Sequence, residues 1–187
     1  GTDCNPMLYV SRAPWGIYDV LATFFRAHRI PEGPILFLRE WGISMTSPLP
    51  RRAKDHKQAL IDRMMDVYAD LPFVLIGDSG QHDPEVYREI LERRGDRIRA
   101  VYIRNVSHGN HSRAAEIEAM ASAVPDDGPD IVLATDSVAI AEHAARIGLI
   151  APTAVEAVRQ RLTAEEQREI AGRQSRHVQR GTPDDLK

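Results

Sequence analysis

Two aspartates five residues apart stand on the stretch Gly77-Asp78-Ser79-Gly80-Gln81-His82-Asp83-Pro84, directly after the apolar run Phe73 to Ile76. Carboxylates on a Gly-rich turn at a strand end can face one hard cation, because Mg²⁺ takes one or two carboxylates and keeps waters or substrate oxygens as its other ligands. Asp83 has a second reading, as a cap for the helix that Pro84 opens. Asp78 is harder to explain structurally, since an unpaired carboxylate at the end of a buried strand is costly. Ser11 and Arg12 follow another apolar run and precede Pro14, which suits the first position of a helix. A hydroxyl and free backbone N–H groups there would make an anion site, or Ser11 would simply cap the helix. Lys57 is read as opening the second helix, at the electropositive end that disfavours a cation, so it is either solvated or placed for an anion. Ser79 follows Gly77-Asp78 and opens a separate reading, a serine nucleophile of the GDS esterase type. His82, His108 and His111 lack Cys or acidic partners at zinc-like spacing and are read as surface residues.

The elements that must position these residues follow from five apolar runs: Met7 to Val10, Ile35 to Leu38, Phe73 to Ile76, Ala100 to Ile103 and Ile131 to Ala134. None alternates cleanly with polar residues, the pattern of strands covered on both faces. Helical stripes separate them, the first through Ile17, Val20, Leu21, Phe24 and Phe25, the second through Leu60, Ile61, Met64, Met65 and Tyr68. Three more helices are expected over about 84–94, 112–123 and 138–146. Strands and helices in alternation imply an α/β fold, a doubly wound and mainly parallel Rossmann-like sheet, whose ligands bind at the carboxyl ends of the strands. One domain is expected over 1–150, followed by a helical tail over 151–187 that frays beyond about Arg173. The segment Glu40 to Lys54, with Trp41, Met45, Arg51 and Arg52, is read as a loop or cap beside the site. Trp15 is expected in the core, and the charged stretch Arg93 to Arg99 as a solvated turn.

Composition narrows the function. The chain has 187 residues and a net charge of −3, which does not indicate a general nucleic-acid surface. Its one cysteine, Cys4, precludes an internal disulfide and fits a reducing, cytoplasmic setting. No apolar run approaches the length of about 20 residues that spans a bilayer.

Several stretches together resemble the catalytic domain of the actin-patch phosphatidate phosphatase family, within the haloacid dehalogenase superfamily. They are Leu8-Tyr-Val-Ser-Arg-Ala-Pro-Trp15, Ile35-Leu-Phe-Leu-Arg39, His56-Lys57, Phe73-Val-Leu-Ile-Gly-Asp-Ser-Gly-Gln-His-Asp-Pro-Glu-Val-Tyr87 and Ala100-Val-Tyr-Ile-Arg104. The resemblance implies a Mg²⁺-dependent phosphomonoester hydrolase acting on a phosphate ester such as phosphatidate at a membrane surface. It implies that Ser11 binds a phosphoryl oxygen, that Lys57 neutralises charge around the phosphoryl group, and that Asp78 and Asp83 hold the metal directly or through water; Arg12, which with Ala13 replaces a more usual small polar pair of the family, is expected to bind phosphate with them.

The superfamily's Asp-x-Asp motif, the nucleophile and its acid/base partner, is not found in these residues. The resemblance places its strand in the middle of the sheet, so that segment is expected upstream of Gly1, and the chain as written is expected to be incomplete and catalytically silent. Either the upstream strand fills the middle, or the first and third runs close up and pair. The competing readings are a binding module without catalysis on the same fold, and the Ser79 esterase.

Overall fold

Short runs of β-branched and aromatic residues form five strands, each where an apolar run predicts one: β1 Tyr9–Ser11, β2 Ile35–Phe37, β3 Phe73–Asp78, β4 Ile98–Arg104 and β5 Asp130–Ala134. The computed structural model describes residues 5–11, 13–37, 53–107, 109–125 and 128–180, with side chains described throughout except at 53–54, 169 and 172–180. Arg12, His108, Cys4 and the expected loop residues Glu40, Trp41, Met45, Arg51 and Arg52 lie outside the described residues. The helices are α1 Tyr18–Ala27, α2 Ala53–Val67, α3 Asp83–Arg94, α4 His111–Ser122, α5 Ser137–Arg146 and α6 Thr153–Arg180. Pro84 sits in the first turn of α3, where its missing N–H costs nothing. Asn110 caps α4 by accepting the Arg113 N–H at 3.1 Å, and Asp136 caps α5 by accepting the Ala139 N–H at 2.8 Å.

All strand pairs are parallel, as the α/β pattern requires. The core divides by face. Leu75, Val101 and Ile103 point toward α2, α3 and α4, where they meet Ile61, Met65, Val86, Ile90 and Ile117. Ala100 and Tyr102 point the other way, toward Ala144 and Ile140 of α5, and α6 packs on α5. Val10 joins the first cluster, whereas the Tyr9 ring lies 4.6 Å from Phe25 of α1, so α1 shares the α5 side. Helices therefore lie on both faces of the β3, β4 and β5 sheet, an α/β architecture compatible with a Rossmann-like fold.

The strands do not form one continuous ladder. Among the described residues, β1 pairs only with β2, and β3, β4 and β5 form a separate three-stranded sheet. The alternative in which the first and third runs close up and pair is therefore not what the chain adopts. Ile76, in the middle of β3, is 56% exposed, while Ala100 to Ile103 in the paired strand β4 are buried. A cleft of about 1220 Å³ is lined by residues of β1 on one side and of β3 on the other.

Other expectations are corrected. Trp15 is 59% exposed rather than core, because it belongs to a 3-10 turn and lays its ring against Phe37, 5.1 Å away. The α1 stripe splits: Leu21 and Phe25 line the cleft while Val20 and Phe24 face outward. The charged stretch after α3 is tied down. Arg97 donates to the Tyr68 and Leu71 carbonyls at 2.8 and 2.7 Å, Arg93 reaches Asp62 and Arg94 reaches Asp66. The Arg97 bonds fasten the α2–β3 turn, and the Arg93 and Arg94 pairs tie the end of α3 to α2. Finally, α6 continues past Arg173 to Arg180, so the backbone there is helical where fraying was expected. No described helix is long and apolar enough to cross a membrane.

Candidate active site at the carboxyl edge of the sheet

Ser11 ends β1, Asp78 ends β3, and Asp83 opens α3, which places all three on the carboxyl edge. Lys57 is the fifth residue of α2, one turn inside the helix rather than at its opening. Its ammonium meets Asp83 Oδ1 at 2.5 Å, with the two side chains 18% and 9% exposed. The anion for which this lysine is placed is therefore, in this chain, Asp83. The other oxygen of Asp83 accepts the Asp78 N–H at 3.3 Å, and Asp78 Oδ1 accepts the Gly80 N–H at 2.9 Å. Lysine, carboxylate and strand end thus form one connected chain of polar contacts. Ser11, Lys57, Asp78 and Asp83 all line the cleft between β1 and β3.

Asp83 does not cap α3, since no side chain caps that helix and the cap position is His82. Its carboxylate is instead turned back toward the strand. A Cβ on Gly77 would come within 2.8 Å of the Asp83 Cβ, so only glycine lets the strand end approach this closely. Ser11 likewise does not cap a helix; its Oγ accepts the Ala13 N–H at 3.2 Å, and the following 3-10 turn is preceded by Pro14.

Tyr87 forms the floor. Its hydroxyl donates to the Ile76 carbonyl at 2.8 Å, and the Lys57 ammonium lies 5.6 Å from its ring centroid. Burial, reinforced by the Asp83 and Asp78 carboxylates, pushes the Tyr87 phenol far above its ordinary range, so it remains a protonated donor. Sequence reasoning saw this residue only as part of a motif.

The loop between the two aspartates is held from both sides. Ser79 is 3% exposed; its Oγ accepts the Val106 and Ser107 N–H groups at 3.0 and 3.2 Å and lies 2.9 Å from the Ser107 hydroxyl. A serine so enclosed splices two strand ends and is not presented to a substrate, which counts against the esterase reading. From the other side Arg113 of α4 reaches the Ser79 and Gln81 carbonyls, at 3.2 and 3.0 Å, and grips Glu85 with two parallel bonds of 2.6 and 2.9 Å. The Arg113 hydrogen bond holds the Glu85 carboxyl below its ordinary range, and Glu85 in turn raises the Arg113 guanidinium. Sequence reasoning missed Arg113, because nothing in a polar loop followed by a helix announces that a side chain reaches back across the sheet.

Asp78 and Asp83 offer only anionic oxygens. Among the described residues no cluster of three or more His, Cys, Asp or Glu side chains forms. Two carboxylates without imidazole or thiolate suit a hard cation that retains waters and takes further oxygens from a bound anion, and do not suit a closed zinc site. His82 and His111 are exposed, as expected of surface histidines.

The chain is 31% identical over 100 residues to phosphatidate phosphatase APP1 of Saccharomyces cerevisiae (strain ATCC 204508 / S288c), a match covering 54% of this chain and 17% of that protein. It is 28% identical over 98 residues to the uncharacterized protein C29B5.04c of Schizosaccharomyces pombe (strain 972 / ATCC 24843), covering 52% of this chain and 16% of that one. The chain therefore matches less than a fifth of the length of these relatives. No solved structure gives a significant match. Residues 1–105, more than half of the chain and the part that holds Ser11, Lys57, Asp78 and Asp83, match the model of the phosphatidate phosphatase APP1 catalytic domain, and the chain belongs to that family.

Proposed function

We propose that this chain carries the phosphoryl-binding and cation-binding part of a Mg²⁺-dependent phosphomonoester hydrolase of the haloacid dehalogenase type, acting on a lipid phosphate of the phosphatidate class. In the working enzyme a strand bearing the Asp-x-Asp nucleophile pair inserts between β1 and β3. The observation that carries this reading is the connected Lys57, Asp83 and Asp78 contact chain at the carboxyl end of a cleft whose two walls are strands with no ladder between them. Unpaired strand edges ask for a partner, and the partner that satisfies both is another strand.

Each residue has a physical role in this reading. The Ser11 hydroxyl, accepting the Ala13 N–H, directs its own proton to a phosphoryl oxygen, and Arg12, the next residue in the sequence, is assigned to the same phosphate by its charge. Lys57 balances the charge that gathers where carboxylates and phosphate meet, and its bond to Asp83 fixes the direction from which it does so. Asp78 and Asp83 hold the cation. A bound Mg²⁺ supplies electrostatic stabilisation of the transferring phosphoryl group, which is most of what phosphoryl transfer demands of a protein. Tyr87 and the buried Ser79 keep the metal-binding loop in place without touching the reacting group. The proposed setting is cytoplasmic, peripheral to the membrane that carries the lipid.

The test uses a longer protein in which a segment bearing the Asp-x-Asp strand is joined ahead of this chain. Mg²⁺-dependent release of phosphate from phosphatidate in mixed micelles is the expected result. Asp78→Asn should lower turnover by roughly two orders of magnitude or more, with part of the loss recovered at excess Mg²⁺. Lys57→Ala should lower it without such recovery. Failure of the longer protein to release phosphate overturns the hydrolase reading, and metal-dependent turnover by the 187-residue chain alone overturns strand insertion.

A further inference from the structure

Arg113 makes more contacts to the segment between the two aspartates than any structural need of its own helix explains. Its Nε donates to the Ser79 carbonyl at 3.2 Å and its Nη2 to the Gln81 carbonyl at 3.0 Å. The same fork binds Glu85, two residues beyond Asp83, at 2.6 and 2.9 Å. A further bond of 3.1 Å runs to Glu116 on its own helix, so the guanidinium faces two carboxylates and brings no net positive charge to the site. One planar group therefore spans the loop after Asp78 and the first turn of the helix that carries Asp83. The side chain is only 18% exposed, and α4 is anchored at this point by the Asn110 cap, whose side chain accepts the Arg113 backbone N–H.

We infer that Arg113 is a positioning residue for the cation site: it sets the separation of Asp78 and Asp83 by clamping residues 79–85 and touches neither the metal nor the substrate. This inference rests on the reading of Asp78 and Asp83 as a cation pair. Two ligands on a six-residue turn keep a fixed separation only if the turn cannot breathe, and the turn between Asp78 and Asp83 contains Gly80, the least restrained residue type. Ser79 fastens its first half to the β4 end. Arg113 fastens the second half at Gln81 and Glu85, on either side of Asp83, which Lys57 and the Asp78 N–H hold in turn. A guanidinium fork can satisfy two carbonyls and a carboxylate together, whereas a lysine ammonium is a single point of charge on a flexible stem. Groups that orient ligands without binding metal commonly contribute about 10- to 100-fold to metal affinity.

The experiment follows two readouts in the 187-residue chain and its variants: Mn²⁺ affinity by electron paramagnetic resonance titration, and amide hydrogen exchange at Ser79 and Gly80. Asp78→Asn with Asp83→Asn marks which Mn²⁺ signal belongs to the site. Arg113→Ala is expected to weaken Mn²⁺ binding about 10-fold or more and to speed exchange at Ser79 and Gly80 about 10-fold, while β4 amides keep their protection. Arg113→Lys should behave like the alanine variant, because charge alone does not rebuild the fork; should the alanine variant melt, this one carries the same readouts. Glu116→Gln, which leaves the loop contacts intact, should match the parent. Parent-like exchange at Ser79 and Gly80 in both Arg113 variants overturns the clamp. Faster exchange with unchanged Mn²⁺ affinity overturns its role toward the metal. Absence of site-specific Mn²⁺ binding in the parent overturns the cation reading itself and with it the role toward the metal, while the exchange data still decide whether the loop is clamped.

Discussion

The Asp83 carboxylate occupies the space that a side chain at Gly77 would need. A Cβ built on Gly77 falls 2.8 Å from the Asp83 Cβ, closer than real Cβ contacts come. The strand end and the helix start can therefore share a carboxylate only because position 77 carries none of its own bulk.

Gly77→Ala is expected to push Asp83 away from the Asp78 N–H and from Lys57, at a cost of about 1–3 kcal/mol for the forced shift. Thermal melting of the parent and the variant checks the cost. A variant as stable as the parent, with the Lys57 to Asp83 contact intact in its structure, would show that the helix start adjusts freely.

Ser79→Ala is expected to destabilise more than a surface serine change, by about 1–3 kcal/mol, because the Val106 and Ser107 N–H groups lose a buried acceptor. Urea unfolding reads this directly. The parent should also resist labelling by a fluorophosphonate, since the hydroxyl is enclosed. Stoichiometric labelling at Ser79 would restore the esterase reading.

Acid stability should depend on Glu85. Its folded pKa is depressed, first by the Arg113 hydrogen bond, so the unfolded chain binds that proton more readily than the folded one. The stabilisation is therefore present above the unfolded value, about 4.3, and is lost as pH falls through the lower folded value. Melting temperature measured between pH 6 and 3 should fall more steeply below about pH 4.5 in the parent than in Glu85→Gln. Parallel curves would mean that the Glu85 to Arg113 pair contributes nothing specific to acid sensitivity.

Ile76 tests the proposed strand insertion from the opposite direction. Its side chain is 56% exposed in this chain, so Ile76→Thr should change stability by less than about 0.5 kcal/mol here. In the longer protein, with a strand lying against β3, the same substitution removes buried apolar volume and should cost about 1–3 kcal/mol. Equal effects in the two proteins would argue against a strand at that position.

Much of the fold was legible because its signals are local. The five runs carry β-branched and aromatic residues, Pro84 marks a helix start, and the regular alternation of runs and stripes leaves few architectures other than a parallel α/β sheet. The placement of Asp78 and Asp83 was also legible, since strand ends face the ligand edge whatever the packing. The Lys57 to Asp83 pair was not, because it depends on α2 lying beside α3, a matter of side-chain packing between helices 26 residues apart in the bond they make. Trp15 read as core because size and apolarity favour burial, but one face against Phe37 is all the cover that a 3-10 turn gives it. Arg97 looked like a solvated charge for the same reason in reverse: its carbonyl partners, Tyr68 and Leu71, have no sequence signature.

Among the described residues no ladder joins β1 to β3, so the two groups of strands are held together in different ways. In β3, β4 and β5 every neighbour is tied by a run of backbone bonds. β1 and β2 pair at three positions and meet the rest of the molecule through side chains such as Val10 and through contacts with α2. Ser11 belongs to the second group, while Asp78 ends a strand of the first. A strand bonded to both walls would therefore set the spacing between the Ser11 hydroxyl and the two carboxylates by backbone bonds, where side-chain packing sets it in this chain.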